Sequence, residues 1–76
     1  MPKTKARELI QFGANVRSLR EAHDWTQDRL AEKADLDQTY ISGIERGERN
    51  LTILSVSKLA KALKTSSAKL CEGIDR

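Results

Sequence analysis

The 76-residue sequence predicts an all-α domain of five short helices. Apolar residues recur at three- and four-residue steps along most of the chain, which is the spacing that one face of a helix requires. Residues that favour helix N-termini precede four of these stretches. No stretch alternates apolar and polar residues as a half-buried strand does. We therefore expect a bundle of helices without a sheet.

The composition is that of one small folded domain. Hydrophobic residues make up 38% of the chain and charged residues 33%, which is ordinary for a helical protein and unlike a disordered one. At this size a core is near the lower limit of stability without metals or several disulfides, so dimerisation would help. The formal net charge of +3 permits attraction to a polyanion but does not establish it.

The sequence disfavours several other kinds of protein. Cys71 is the only cysteine, so neither an intramolecular disulfide nor a cysteine-rich zinc site can form. No apolar run approaches the roughly 18 residues of a membrane span, and the N-terminal residues lack the apolar segment of a signal peptide. We expect a cytoplasmic protein that needs no membrane, metal or cofactor.

The first helix is predicted after a short arm. Residues 1–7 have little apolar content and are expected to be mobile, and residues 8–76 to form the folded domain. A helix from Glu8 to about His23 is indicated by four apolar residues on one face: Leu9, Phe12, Val16 and Leu19. Gly13 costs this helix about 1 kcal/mol relative to Ala, so we expect close packing against another helix there.

Three further helix starts share one local pattern. An apolar residue precedes a capping residue, and a second apolar residue follows four positions after the cap, which is the spacing of a hydrophobic staple. The three sets are Trp25-Thr26-Leu30, Leu36-Asp37-Ile41 and Leu51-Thr52-Val56. The fourth helix is predicted to end near Leu63, and Ser66 to cap a fifth that ends near Glu72.

The second and third helices are separated by a very short connection. Only a sharp corner fits between Ala34 and Asp37, and Asp35 tolerates the left-handed backbone conformation that such corners often need. Gly47 is placed to end the third helix. This part of the chain is therefore expected to form two helices joined by a tight turn.

The same region resembles a known family through three short motifs: Arg20, Thr26-Gln27 and Ile44-Glu45-Arg46-Gly47. With their spacing, residues 11–74 resemble the helix-turn-helix domain of the Cro/repressor (Xre) family. The resemblance implies a sequence-specific DNA-binding transcription regulator with residues 37–46 as its recognition helix. It also implies an internal ion pair between Arg20 and Glu45. Residues 40–50 look closest to the controller proteins of restriction-modification systems, and small phage-type repressors are similar too.

The resemblance and the side-chain chemistry together suggest how DNA is bound. Side chains near the start of a recognition helix reach base edges, whereas the preceding helix and nearby loops hold phosphates. The predicted base contacts are Gln38, Thr39, Ser42 and Arg46, and the predicted phosphate contacts are Arg17, Gln27, Tyr40, Arg49 and Asn50. Gly43 lies where relatives often carry a long base-reading side chain, so readout would depend more on its neighbours and on DNA deformation.

A homodimer on a palindromic site is expected, because small regulators gain affinity by placing two recognition helices in successive major grooves. The first and third helices are needed for the core and the DNA. The outer side of the fourth helix and the fifth helix are therefore the predicted interface, with Leu70 and Ile74 as anchors. Packing within one chain is the competing explanation for Leu70. RNA polymerase is a further candidate partner.

Catalysis is not expected, because the sequence offers no nucleophile with a base and no phosphate-binding loop. His23 is the only histidine and lies at a helix end, where a surface or capping role is commoner than metal binding. The alternative from another class is a protein-interaction module, such as an antitoxin, that has the same fold but uses another surface. Salt-dependent binding to a defined duplex would separate the two.

Overall fold

A computed structural model describes residues 6–75, which contain five helices and no strand. The helices are α1 (Arg7–Ala22), α2 (Gln27–Ala34), α3 (Gln38–Glu45), α4 (Ile53–Ala62) and α5 (Ser67–Leu70). The all-α prediction is confirmed. Residues 1–5 of the predicted arm lie outside the described residues, as does the last residue of the predicted domain, and α1 already begins at Arg7.

Side-chain caps begin three of the helices. In each case a hydroxyl oxygen accepts a hydrogen bond of 3.0 or 3.1 Å from the backbone N–H three positions on: Thr26 from Arg29, Thr52 from Ser55, and Ser66 from Lys69. Each bond satisfies an N–H group that has no partner inside the helix. These caps stand where the sequence predicts them.

Asp37 occupies the N-cap position of α3, but its side chain makes no capping hydrogen bond. The prediction of a side-chain cap at this residue is therefore wrong. Packing fixes the start of α3 instead, because Leu36 lies against the core and Ile41 is fully buried. A side-chain cap contributes about 1 kcal/mol, which the burial of an isoleucine exceeds.

The first four helices all end in the same hydrogen-bonded turn. In this Schellman motif one residue adopts the left-handed conformation, and two N–H groups reach back to carbonyls of the last helical turn. One of the two bonds joins a backbone N–H to the carbonyl oxygen five positions earlier. The four examples are Trp25 to Arg20, Leu36 to Ala31, Glu48 to Gly43, and Thr65 to Ala60. The left-handed residues are Asp24, Asp35, Gly47 and Lys64.

Only one of these four turns requires glycine. A Cβ atom on Gly47 would lie 2.9 Å from the Cα atom of Ile10, which belongs to the backbone of α1. Backbone atoms cannot give way as the end of a side chain can, so any residue other than glycine would be strained in the turn after α3. At the corresponding positions Asp24 and Lys64 are exposed, so those turns have room for a side chain.

The core lies where the helices meet. Helix α3 packs on both α1 and α2, α4 packs on α2 and α5, and α5 also reaches α1. The buried apolar residues are Phe12, Val16, Leu30, Ala31, Ala34, Ile41, Ile44, Leu59, Ala60, Leu63 and Leu70. All five helices contribute to this cluster, so the outer face of α3 is presented by a single packed unit.

The α1–α3 crossing is a backbone-to-backbone contact at Gly13. A Cβ atom there would collide with the carbonyl oxygen of Ile44 and lie 2.9 Å from that of Glu45. The expectation of close packing at this glycine is confirmed. The missing side chain lets the end of α3 rest directly on α1.

Side chains of α1 hold the C-terminal residues. The Asn15 side-chain amide donates to the carbonyl oxygens of Leu70 and Glu72, both at 2.8 Å, and the Arg7 guanidinium donates to those of Gly73 and Ile74. Helix α5 ends at Leu70 and not near Glu72 as predicted. Beyond α5, backbone carbonyl oxygens accept hydrogen bonds from side chains of α1 and from the N–H groups of turns.

The requirement for glycine at one turn and not at another can be tested with two opposite substitutions. Gly47→Ala should lower the free energy of unfolding by about 2–4 kcal/mol, because backbone strain adds to the collision with Ile10. Lys64→Gly, at the same position of the same motif, should raise it by about 0.5–1 kcal/mol, because left-handed strain outweighs the entropy that glycine loses. Urea denaturation of both variants measures the difference. Equal changes in the same direction would contradict the role of Ile10.

Candidate nucleic-acid interface

Helices α2 and α3 form the predicted pair joined by a sharp corner. Residues 35–37 separate them, and Asp35 has φ +55° and ψ +49°, the left-handed conformation expected of this aspartate. Leu30 and Ala34 of α2 and Ile41 of α3 are buried in the angle between the helices. The corner is therefore fixed by backbone geometry and by core packing together.

Helix α3 has one buried face and one polar face. Ile41 and Ile44 are at most 1% exposed and point to the core. With 3.6 residues per turn, the opposite face carries Thr39, Ser42, Gly43 and Arg46. Gln38 is exposed at the N-terminus of the helix. Three of the predicted base contacts thus share the outward face of α3, with Gln38 at its leading end.

The end of α3 is joined to α1 by a bidentate ion pair. Arg20 donates from Nε to Oε2 of Glu45 at 2.7 Å and from Nη2 to Oε1 at 3.0 Å. The side chains are 11% and 3% exposed. Arg20 also donates to the carbonyl oxygen of Trp25 at 2.7 Å, which joins the loop before α2 to the pair.

The Arg20 guanidinium keeps its charge at any practical pH. The hydrogen bond to Glu45 raises the pKa of the Arg20 guanidinium above its ordinary value, and this effect outweighs burial, which lowers it. Such a pair need not stabilise the fold relative to apolar residues, because both charges lose their hydration. Its two parallel hydrogen bonds do fix the orientation of α3 relative to α1.

A chain of hydrogen bonds connects this pair to the start of α3. Gln27 donates its side-chain amide to Oε1 of Glu45 at 3.0 Å, and Gln38 donates its own amide to Oε1 of Gln27 at 3.3 Å. The orientation of the Gln27 amide is therefore set by the carboxylate. Gln38 retains its carbonyl oxygen and a second amide hydrogen, which are the two groups that a bidentate contact with adenine needs.

Two predicted base contacts bind each other at the far end of the face. The Arg46 guanidinium donates to the hydroxyl oxygen of Ser42, and its Nε donates to Oε1 of Glu48 at 2.9 Å. The Arg46–Glu48 pair is about half exposed on both sides. DNA would therefore have to compete with these bonds for the Arg46 side chain.

The predicted phosphate contacts lie in three places, one of which is the start of α2, where Gln27 stands. On α1, Arg17 is exposed and pairs with Glu21 at 3.1 Å. On α3 itself, the Tyr40 hydroxyl donates to Oγ of Ser55 at 3.1 Å and lies 3.4 Å from the carbonyl oxygen of Asn50. The guanidinium carbon of Arg49 lies 5.6 Å from the centre of the Tyr40 ring. The loop after α3 is thus packed against α3, whereas Arg17 stands apart on α1.

The predicted dimer anchors differ in their exposure. Leu70 is 0% exposed and belongs to the core of its own chain. The prediction that Leu70 anchors the dimer is therefore wrong, because a side chain with no accessible surface cannot contact a second copy. Ile74 is partly buried, and its carbonyl oxygen accepts a hydrogen bond from Arg7.

Sequence reasoning missed the most exposed large apolar side chains, which stand on the first turn of α4. Ile53 is 89% exposed and Leu54 66%. The inward residues of α4 recur at three- and four-residue steps, and Leu54 does not fit this spacing. That mismatch indicates, from the sequence alone, that Leu54 faces away from the core. The two side chains are adjacent, so they form an exposed apolar surface that a second molecule could cover.

His23 has a structural explanation. Its Nε2 atom lies 3.0 Å from the carbonyl oxygen of Leu63 at the end of α4, and its ring stacks on Trp25 with the centroids 4.3 Å apart. Residues 6–75 contain no group of three or more potential metal ligands. Nor is any helix in this described range long and apolar enough to cross a membrane.

Comparison with known proteins places this geometry among DNA-binding regulators. The helix-turn-helix family HTH_3 matches residues 16–70. Control protein C.SmaI of Serratia marcescens is 50% identical over 56 residues, which are 74% of this chain and 67% of that protein. The crystal structure of the restriction-modification controller protein C.AhdI from Aeromonas hydrophila is similar with a TM-score of 0.80 and 40% identity, covering 82% of this chain and 94% of that one.

A further structure shows a similar protein with DNA. The restriction-modification controller protein C.Esp1396I, solved as a tetramer in complex with its natural 35 base-pair operator, has a TM-score of 0.79 and 39% identity. The match covers 91% of this chain and 91% of that one. The similarity therefore extends over most of the chain.

A double-mutant cycle tests whether the buried pair is one coupled unit. Arg20→Met and Glu45→Met should each lower the free energy of unfolding by about 3–5 kcal/mol, because each leaves a buried charge without its partner. The double variant should lose much less than the two single losses together. The exposed pair Arg17–Glu21 is the control, with a coupling of only about 0.3–0.5 kcal/mol. Strictly additive losses at Arg20 and Glu45 would show that the charges act separately.

Proposed function

This chain belongs to the helix-turn-helix family of DNA-binding transcription regulators, and from that premise we propose that it is the controller protein of a restriction-modification system. It is a sequence-specific DNA-binding regulator. In the proposed role a homodimer binds a palindromic operator upstream of the genes that it controls. Half of the aligned residues are shared with control protein C.SmaI, and two restriction-modification controller structures match the fold.

The observation that carries the proposal is the way in which the outward face of α3 is held. Its inner face is buried, and Glu45 at its end is joined to α1 by the ion pair with Arg20. A recognition helix must keep its orientation in the major groove to within a fraction of the size of a base, and a rigid anchor reduces the entropy lost on binding.

In the proposed complex α3 lies in the major groove and its N-terminal residues contact base edges. Gln38 is a suitable partner for adenine, and Thr39 can contact a thymine methyl group or a hydrogen-bond acceptor. The start of α2 approaches a phosphate, because the first N–H groups of a helix have no internal partner and favour an anion. Gln27 stands at this end and connects the phosphate to Gln38 through the hydrogen bond between them.

The remaining phosphate contacts flank α3. Arg17 on α1 and the loop residues Arg49 and Asn50 supply charge and hydrogen-bond donors on either side of the groove. To reach DNA, Arg17 exchanges its exposed bond to Glu21, which costs little because surface ion pairs contribute about 0–1 kcal/mol. These contacts give affinity and register, whereas the base contacts give sequence preference.

We place the dimer interface at the start of α4. Ile53 and Leu54 project into solvent from the first turn, where a second copy would bury them. This surface lies on the fourth helix, as the sequence predicts, but does not include Leu70. Ile74 remains a candidate at its edge. For two recognition helices to enter successive major grooves, the dimer must hold them about 34–36 Å apart, one turn of DNA.

The protein-interaction alternative predicts different behaviour. A partner-binding module of this fold would use an apolar surface such as the start of α4 without needing the polar face of α3. The family is a class of DNA-binding regulator and not a class of enzyme, so no reaction is proposed. We propose that this protein acts in the cytoplasm, where its operator would lie, and that RNA polymerase is a further partner.

Two substitutions separate base contacts from phosphate contacts. On the preferred duplex Gln38→Ala should weaken binding by about 1–3 kcal/mol and relax selection at one base pair. Arg17→Ala should weaken binding to all duplexes and reduce the salt dependence by about one counterion. Fluorescence anisotropy over a set of singly substituted duplexes measures both effects. Uniform losses for both variants would contradict the division of roles, and salt-independent binding by the native chain would favour the interaction-module alternative.

Charged substitutions test the interface. Ile53→Asp and Leu54→Asp should each shift the protein from dimer to monomer, because a two-fold contact brings each new carboxylate close to its copy. Both side chains are exposed, so the helical content should remain. Ala14→Asp, an exposed change on α1, is the control. Sedimentation velocity and circular dichroism make the measurements, and dimers that survive both changes would place the interface elsewhere.

A further inference from the structure

Gly43 stands in the middle of the outward face of α3, yet it is buried. The atoms that cover it belong to the side chain of Arg49 in the following loop. A Cβ atom on Gly43 would lie 2.7 Å from Cγ of Arg49 and 3.2 Å from its Nε. Arg49 therefore crosses the recognition helix at the one position of its outward face that has no side chain.

The Arg49 side chain is also supported on its second side. Its guanidinium carbon lies 5.6 Å from the centre of the Tyr40 ring, within the range of a cation–π contact. The Tyr40 hydroxyl is held near Ser55 at the start of α4, so the ring is a fixed platform. The notch at Gly43 and the ring of Tyr40 together direct the guanidinium along the outer surface of α3.

Arg46 and Arg49, which both follow α3, differ in what they bind. Arg46 is engaged by Ser42 and by the carboxylate of Glu48. No carboxylate pairs with Arg49 in the part of the chain that the structure describes. Of the two guanidinium groups, that of Arg49 is therefore the one available to a new partner without breaking an ion pair.

Helix formation gives no reason for a glycine at position 43. Glycine weakens a helix interior relative to alanine. At Gly13 a Cβ would meet only backbone atoms, and at Gly47 it would meet the backbone of Ile10 as well as its side chain, so the fold itself favours glycine at both positions. At Gly43 they belong to the side chain of an exposed arginine, which could move aside. What glycine preserves at this position is the path of Arg49.

We propose that Gly43 is a positioning residue for DNA readout, and that Arg49 supplies the side chain that reads the base pair facing the middle of α3. The group it recognises is the O6/N7 edge of guanine, to which a guanidinium can donate two parallel hydrogen bonds. This inference rests on the proposed binding of α3 in the major groove. It changes the role of Arg49 from phosphate contact to base contact.

The test compares Gly43→Ala, Arg49→Ala, Arg49→Lys and the double variant Gly43→Ala/Arg49→Ala on duplexes with each operator position varied in turn. Gly43→Ala should unfold at the same temperature as the native chain or higher, yet lose roughly tenfold or more of its preference at one guanine. Arg49→Ala should lose preference at that same position, and the double variant should lose no more than either single variant. Arg49→Lys should keep the salt dependence but not the preference, because an ammonium cannot form the bidentate contact.

Two controls keep the outcomes separate. Lys61→Ala removes an exposed positive charge from α4 and should change no position of the preference profile. Gly13→Ala, which meets backbone, should lower the unfolding temperature, showing that the assay detects a glycine that the fold requires. An unchanged profile for Gly43→Ala, or a uniform loss on all duplexes for Arg49→Ala, would overturn the inference. If the native chain selects no sequence at all, the proposed function fails and not this assignment alone.

Discussion

The structure depends on the buried pair of Arg20 and Glu45. It joins the end of the first helix to the end of the recognition helix through two parallel hydrogen bonds, and a third bond holds the loop before α2. Removing two charges from water is costly, so the pair is better understood as fixing an orientation than as stabilising the fold. The carboxylate also orients Gln27, and through it Gln38. Through these hydrogen bonds, the buried pair orients a side chain on the surface that would recognise the DNA sequence.

The glycines complement this anchor in two different ways. Gly13 and Gly47 allow backbone to meet backbone, at the α1–α3 crossing and at the turn after α3, and so bring the recognition helix against α1. Gly43 faces outwards and leaves room for the Arg49 side chain. The same residue type thus serves the fold at two positions and the exposed surface at a third, according to whether the neighbouring atoms can move.

The buried and the exposed apolar residues of the domain have different roles. Leu70 completes the core from α5, whose following carbonyls are held by Asn15. Ile53 and Leu54 contribute little to that core and remain in solvent. A chain of this size gains more from burying such side chains in a second copy than from leaving them exposed, because association adds apolar area that its own core lacks. In the proposed dimer, DNA binding and pairing use separate surfaces, α3 and the start of α4.

The sequence by itself determined the helices, the corner and the core, because these follow from local rules. Apolar spacing, hydroxyl caps and the left-handed Asp35 act within a few residues, and each can be recognised without knowing the fold. The pairing of Arg20 with Glu45 was available only through family resemblance. Tertiary structure alone decided that Asp37 does not cap, that Leu70 is internal, and that Arg49 crosses Gly43. Each of these depends on which atoms approach from elsewhere in the chain, and side-chain exposure is fixed only when all five helices are packed together.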